Sequence, residues 1–202
     1  MTEIKSKTFP NGYKVVVSID PDPQSPREWD NIGTVIIHNR SRYAFADETA
    51  DMHELQALEN DKDHIALPIY LYDHSGITIN TTGFSCRWDS GQVGVIYCTK
   101  EQAVKEFGNK ICTAKVRDKA LKCLKGEIKD LDQYIRGEVY GFQVFDPQGE
   151  VVDSCWGYYG DVDDCLKEGE SSVAYCTPVA DTDIVGFDHE CGEDLLQNLG
   201  NK

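Results

Sequence analysis

Short runs of branched and aromatic residues between turn residues predict the strands of this chain. Residues 13–19 contain three successive valines, whose branched side chains suit a pleated strand. The proline-rich stretch 20–26 that follows cannot continue a regular ladder and predicts a loop. The same reasoning predicts further strands at 33–38, 67–72, 77–81, 93–98, 139–145 and 150–156.

Apolar residues that recur every three or four positions predict three helices, over residues 48–60, 100–107 and 114 to about 135. Thr99 and Thr113 stand where the N-caps of the second and third helix are expected. Gly137 stands where a glycine ends the longest of the three.

The order of these elements predicts the fold class. Two pairs of strands are joined by tight turns, Asp-His-Ser-Gly at 73–76 and Asp-Pro-Gln-Gly at 146–149, and therefore predict antiparallel hairpins. Strands and helices do not alternate regularly. We therefore expect a single α+β domain over residues 1–202, with a largely antiparallel sheet, one long and two or three short helices, and an acidic C-terminal segment at 146–202.

Composition excludes several classes of protein. Hydrophobic residues make up 40% and charged residues 27% of the 202 residues, which is typical of a folded globular chain. No run of apolar residues is long enough for a membrane span, and the first residues do not resemble a signal peptide. We therefore expect a cytoplasmic protein without membrane contact. A net charge of −15 argues against direct nucleic-acid binding.

The charge is unevenly distributed. Residues 146–202 contain 14 acidic and two basic residues, whereas residues 1–145 are nearly balanced, with 21 acidic and 18 basic residues. A run of like charges usually forms a solvated face. The alternative is a surface that occupies a basic groove on a partner. The residues predicted to bind such a partner are Asp161, Asp163, Asp164, Glu168, Glu170, Asp181 and Asp183.

The sequence predicts no metal or cofactor. None of the eight cysteines is part of a C-x-x-C pair, and the five histidines lack the spacing of common zinc motifs. The acidic stretches do not match a calcium loop, and no glycine-rich phosphate loop occurs. The cysteines are expected to be reduced thiols.

One group of residues contains the ingredients of acyl transfer. His74, Ser75, Cys86 and Asp89 supply a candidate base, two candidate nucleophiles and a carboxylate. The alternative is turn chemistry, in which the aspartate accepts backbone hydrogen bonds and neighbouring glycines adopt positive φ. The sequence alone favours the turn interpretation and a protein that is not an enzyme.

Two tryptophans suggest a third function. Trp88 and Trp156 could stack on a flat ligand, with Arg87 as the nearby cation for a phosphate, as a protein that sequesters a signalling nucleotide would require. Strand alternation gives Trp156 a simpler role in the core.

Four blocks of the chain, at 26–33, 67–76, 84–94 and 137–160, resemble a family of uncharacterised accessory proteins encoded by bacteriophages and mobile elements. The motifs D-H-S-G and W-D-S-G-Q-V-G carry this resemblance. It implies an anti-defence protein in the host cytoplasm. Our leading hypothesis is a phage protein that inhibits a host nucleic-acid-handling or immune factor by binding its basic groove. A small hydrolase or nucleotide-processing enzyme and a nucleotide sponge are the alternatives, and the oligomeric state is left open.

Overall fold

The structure is a computed structural model and describes residues 2–176. It contains nine strands in two sheets within this range. The strands are β1 Glu3–Thr8, β2 Lys14–Ile19, β3 Thr34–His38, β4 Glu48–Ala50, β5 His64–Asp73, β6 Ile77–Asn80, β7 Ser90–Thr99, β8 Val139–Phe145 and β9 Val151–Tyr159.

Both sheets are predominantly antiparallel. The smaller sheet has the order β1-β2-β8-β9, and all its pairs are antiparallel. The larger sheet has the order β4-β3-β7-β5-β6, in which only the short β3–β4 pair is parallel. Both predicted hairpins, β5–β6 and β8–β9, are present.

Four helices accompany the sheets in the described residues: α1 Met52–Asn60, α2 Lys100–Glu106, α3 Ala114–Arg136 and α4 Val162–Cys176. A single 3-10 turn, Pro26–Glu28, precedes β3. The predicted α+β class with one long and several shorter helices is therefore confirmed. None of these helices is both long and apolar enough to cross a membrane.

Helix α3 covers one face of the larger sheet. Its apolar stripe is buried against strands β3, β5, β6 and β7, and it consists of Val116, Ala120, Leu124, Ile128 and Leu131. The predicted ends are confirmed, since the Thr113 side chain accepts a hydrogen bond from the Val116 backbone N–H and Gly137 closes the helix at φ +67°. Helix α1 packs on the opposite face through Leu55.

Two elements were not predicted, and one prediction was partly wrong. Strand β1 and helix α4 lie where no regular element was expected. Residues 48–60 do not form one helix, because Glu48–Ala50 pairs with β3 as a parallel strand. The helix begins only after Asp51, whose carboxylate accepts hydrogen bonds from the backbone of His53 and Glu54. This N-cap determines where α1 begins.

A nearly buried ion network fastens the loop before β3 to α3. The Arg27 guanidinium donates two hydrogen bonds to Asp47 and one to Glu127, and a fourth to the backbone oxygen of Gly33. Glu127 on α3 also accepts the backbone N–H groups of Ile32 and Gly33 at 3.1 Å. The structure thus gives the block at 26–33 a role in holding the fold together.

Candidate functional site

Helix α4 carries most of the predicted partner-binding residues and packs on one face of the smaller sheet. Asp161 precedes the first residue of the helix and caps it. Its carboxylate accepts a hydrogen bond from the backbone N–H of Asp163, and its backbone oxygen accepts those of Asp164 and Cys165. The buried side of the helix repeats every three or four residues, at Cys165, Leu166, Gly169 and Val173. Gly169 is needed there, since a Cβ at this position would lie 2.5 Å from Cγ1 of Val15.

On the β1 side of α4, the carboxylates are neutralised. Asp163 forms an ion pair with Lys5, and Oε2 of Glu170 lies 2.7 Å from Nζ of Lys7. The hydrogen bond from Lys5 lowers the pKa of Asp163 below its usual value. Two of the predicted binding residues therefore already have cationic partners within the protein.

The β9 side of α4 keeps its negative charge. Tyr158 on β9 has a raised pKa, first through burial and then through the nearby carboxylates of Asp164 and Glu168. Burial raises the pKa of the nearby Tyr140, and the carboxylates of Glu138 and Asp161 add to this rise.

Asp153 extends this negative surface along β9, where its carboxylate accepts a hydrogen bond from the Ser172 hydroxyl. We call Asp153, Asp161, Asp164 and Glu168 the acidic face. One lysine compensates it, since Nζ of Lys167 lies 2.7 Å from Oδ1 of Asp164. Four carboxylates and one ammonium group leave a clear excess of negative charge.

The remaining two predicted binding residues, Asp181 and Asp183, lie outside the described residues. The partners Lys5 and Lys7 were not predicted, because the exposed strand β1 that carries them has no alternation of apolar and polar residues. Helix α4 was not predicted either, although its apolar residues after Asp161 have helical spacing.

Three of the four candidate catalytic residues lie together. Oδ2 of Asp89 is 3.6 Å from Nδ1 of His74, and the Cys86 thiol donates to the same oxygen at 3.5 Å. Ser75 occupies the β5–β6 turn at φ +60°. The carboxylate lies between thiol and imidazole, whereas a catalytic relay places the imidazole between nucleophile and carboxylate.

The surroundings of this cluster are open. About 65% of the His74 side chain and 40% of the Asp89 side chain are exposed. His74 borders a cavity of about 360 Å³ that Arg136 and Thr78 also line, but Cys86 does not border it. The arrangement can orient the imidazole, and it does not aim the thiol at this cavity.

The two tryptophans proposed for ligand stacking lie in different parts of the fold, one in a loop of the larger sheet and one on a strand of the smaller sheet. Trp88 stands with Arg87 in the loop before β7, and 96% of its surface is exposed. Trp156 lies on β9 and is half-buried against Gly141, where a Cβ would come within 2.1 Å of its ring. The tryptophans make no ring contact with each other within residues 2–176, so the structure does not bring this predicted site together.

No group of three or more histidine, cysteine or acidic side chains in the described part of the chain could hold a metal ion. The seven cysteines within that part are free thiols. Comparisons with protein-family models, curated proteins and solved structures found no match. The resemblance to phage accessory proteins therefore stays a prediction.

Proposed function

We propose that this protein is a phage accessory protein that inhibits a host nucleic-acid-handling or immune factor by binding a basic groove with its acidic face. The supporting observation is the division of charge around α4. Within residues 2–176, carboxylates on the β1 side have lysine partners, whereas on the β9 side only Asp164 has one, Lys167. The β9 side is therefore free to interact with cations on another molecule.

The charges of the acidic face are spaced more widely than the phosphates of DNA. Asp161, which precedes the first residue of α4, and Asp164 and Glu168 within it are spread over seven residue steps, or roughly 10.5 Å at ~1.5 Å per step. That is about one charge per 5 Å, less than the charge per ~3.4 Å of one DNA strand. The acidic face thus suits a few arginine or lysine side chains at the edge of a groove.

Electrostatic recognition of this kind has a salt-dependent signature. Exposed charges separated by more than about 8 Å are largely screened at physiological ionic strength. Complementary charge mainly raises the association rate and selects the partner. We therefore expect binding to weaken steeply as salt rises.

A pair of matched double variants tests the proposal. Asp153→Asn with Glu168→Gln removes two charges of the acidic face that form no ion pair within residues 2–176, and Asp163→Asn with Glu170→Gln removes two charges that are already paired. Both variants change the net charge equally. Host proteins captured by the wild type at low salt, about 0.05 M, are identified, and their affinities are then measured at low and at ~0.3 M salt.

We expect the first variant to lose about tenfold or more in affinity and the second to stay within about threefold. Equal losses in both variants would show that only net charge matters. Binding that does not change with salt would also contradict the proposal.

A small hydrolase or nucleotide-processing enzyme is the second candidate, because His74, Cys86 and Asp89 lie together and His74 borders a cavity. Turnover of activated esters or nucleotides that is abolished by His74→Ala and by Cys86→Ser, and retained by Ser75→Ala, would support it. Absence of turnover across both substrate classes would remove it.

A further inference from the structure

A second surface of the protein has the opposite charge. The loop that follows β3 lines an open cavity of about 380 Å³. Its cationic lining consists of His38, Arg40 and Arg42, and no acidic side chain contributes to the lining. In a chain with a net charge of −15, three potentially cationic side chains within five residues form an unusual local concentration.

The basic side chains of this cavity differ in whether they already form an ion pair within the protein. Arg42 is paired with Asp73. Within residues 2–176, no carboxylate lies within ion-pair distance of the Arg40 guanidinium. The backbone N–H of Arg40 donates to Nδ1 of His38 at 3.3 Å, so a neutral His38 ring carries its proton on Nε2 and can donate there.

The remaining walls complete a small-molecule site. Ser41 adds a hydroxyl to the lining, and Tyr43 and Met52 add apolar surface. Guanidinium and hydroxyl groups donate hydrogen bonds to phosphate oxygens, and a guanidinium can donate two in parallel. A volume of about 380 Å³ lies within the range of small-molecule sites and accommodates one phosphorylated compound.

We propose that this cavity binds a phosphomonoester of mononucleotide size, with the phosphate on Arg40, Arg42 and Ser41 and the flat group against Tyr43 and Met52. This site is separate from the acidic face and from the tryptophans of the sequence analysis. It goes beyond the proposed function, because a protein that only occupies a basic groove has no need of it.

Asp73 acts as an internal competitor for the phosphate. Its carboxylate accepts hydrogen bonds from both Arg42 and the Tyr43 hydroxyl, the latter at 2.6 Å. Those hydrogen bonds lower the pKa of Asp73, so it remains ionised at neutral pH. A bound phosphate must share Arg42 with this carboxylate or displace it. Removal of the Asp73 charge should therefore strengthen phosphate binding.

Calorimetry on the full chain at low salt tests the site, with adenosine monophosphate and inorganic phosphate as probes. Arg40→Gln with Arg42→Gln should weaken binding of the nucleotide by about tenfold or more. Asp73→Asn should strengthen it severalfold. Arg117→Gln with Lys122→Gln, which removes two exposed cations from α3, is the matched control and should leave binding unchanged.

Three results would overturn the proposal: no saturable binding of the nucleotide, equal effects of the arginine variant and the α3 control variant, or weaker binding by Asp73→Asn. Nucleotide binding no tighter than binding of inorganic phosphate would overturn the assignment of Tyr43 and Met52 to the flat group. Melting temperatures of all variants establish that each is folded.

Discussion

Arg27 offers the sharpest test of how the fold is held together. Arg27→Met removes a guanidinium with only 11% of its side chain exposed, together with its hydrogen bonds to Asp47, Glu127 and the Gly33 backbone. Methionine keeps much of the aliphatic volume. The loss is therefore mainly electrostatic, because two carboxylates lose their common cation.

The structure sets the expected magnitude. Breaking a buried ion pair on one side costs about 3–5 kcal/mol, since the remaining charge stays desolvated. Glu127 is 12% exposed and Asp47 is 28% exposed, so we expect the lower end, about 3 kcal/mol. Glu127→Gln leaves Arg27 paired with Asp47 and keeps an oxygen for the backbone N–H groups. We expect it to cost only about 1 kcal/mol.

The cost of Arg27→Met should also depend on pH. Burial already raises the pKa of Glu127, although Arg27 opposes that shift. Without Arg27, the folded-state pKa of Glu127 rises further above its unfolded value of about 4.3. Stability contributed by the protonated form is present below the unfolded pKa and lost as pH rises through the folded pKa. The variant should therefore be less destabilised near pH ~4.5 than at neutral pH.

Urea unfolding followed by circular dichroism measures these free energies, with the exposed Arg87→Met as control. The double variant Arg27→Met with Glu127→Gln should lose less free energy of unfolding than the sum of the two single variants, by about 1 kcal/mol or more. Our account of the network is refuted if Arg27→Met costs less than ~1 kcal/mol at neutral pH, or if its cost is the same at both pH values.

Three further predictions concern packing, capping and thiols. Gly141→Ala should destabilise by about 1–3 kcal/mol and shift tryptophan fluorescence, because a Cβ there would overlap the Trp156 ring, and an unshifted spectrum would contradict this. Thr113→Ala should cost about 1 kcal/mol in urea unfolding through loss of the α3 cap, whereas Thr113→Ser should not. Cys98 and Cys165 are fully buried, and burial raises each thiol pKa to about 11, so neither should react with a thiol reagent until the protein unfolds.

Elements with strong local signals were predictable from the sequence. The long helix α3 has a regular apolar stripe, a threonine cap and a closing glycine, and all three were found where expected. The two hairpins have tight turns whose residues specify the chain reversal. These features depend on neighbours within a few residues, and sequence patterns report such neighbours well.

Features that depend on distant contacts were not predictable. Strand β1 is entirely exposed, so it has no apolar alternation, and pairing with β2 defines it. The parallel bridge of Glu48–Ala50 to β3 likewise overrides a helical pattern. The Arg27 network joins residues up to 100 positions apart, and nothing in a local window indicates that Arg27 and Glu127 meet.

The availability of the carboxylates at the candidate site also depends on distant contacts. Summing acids and bases over residues 146–202 treats every carboxylate as equally available. In the fold, Asp163 and Glu170 meet Lys5 and Lys7, which lie 158 and 163 positions earlier in the chain. Among the described carboxylates on and beside α4, those without a lysine partner thus lie on the β9 side of the helix. A partner with a basic groove should approach along β9, so substitutions on the two sides of one helix should differ although they change the net charge equally.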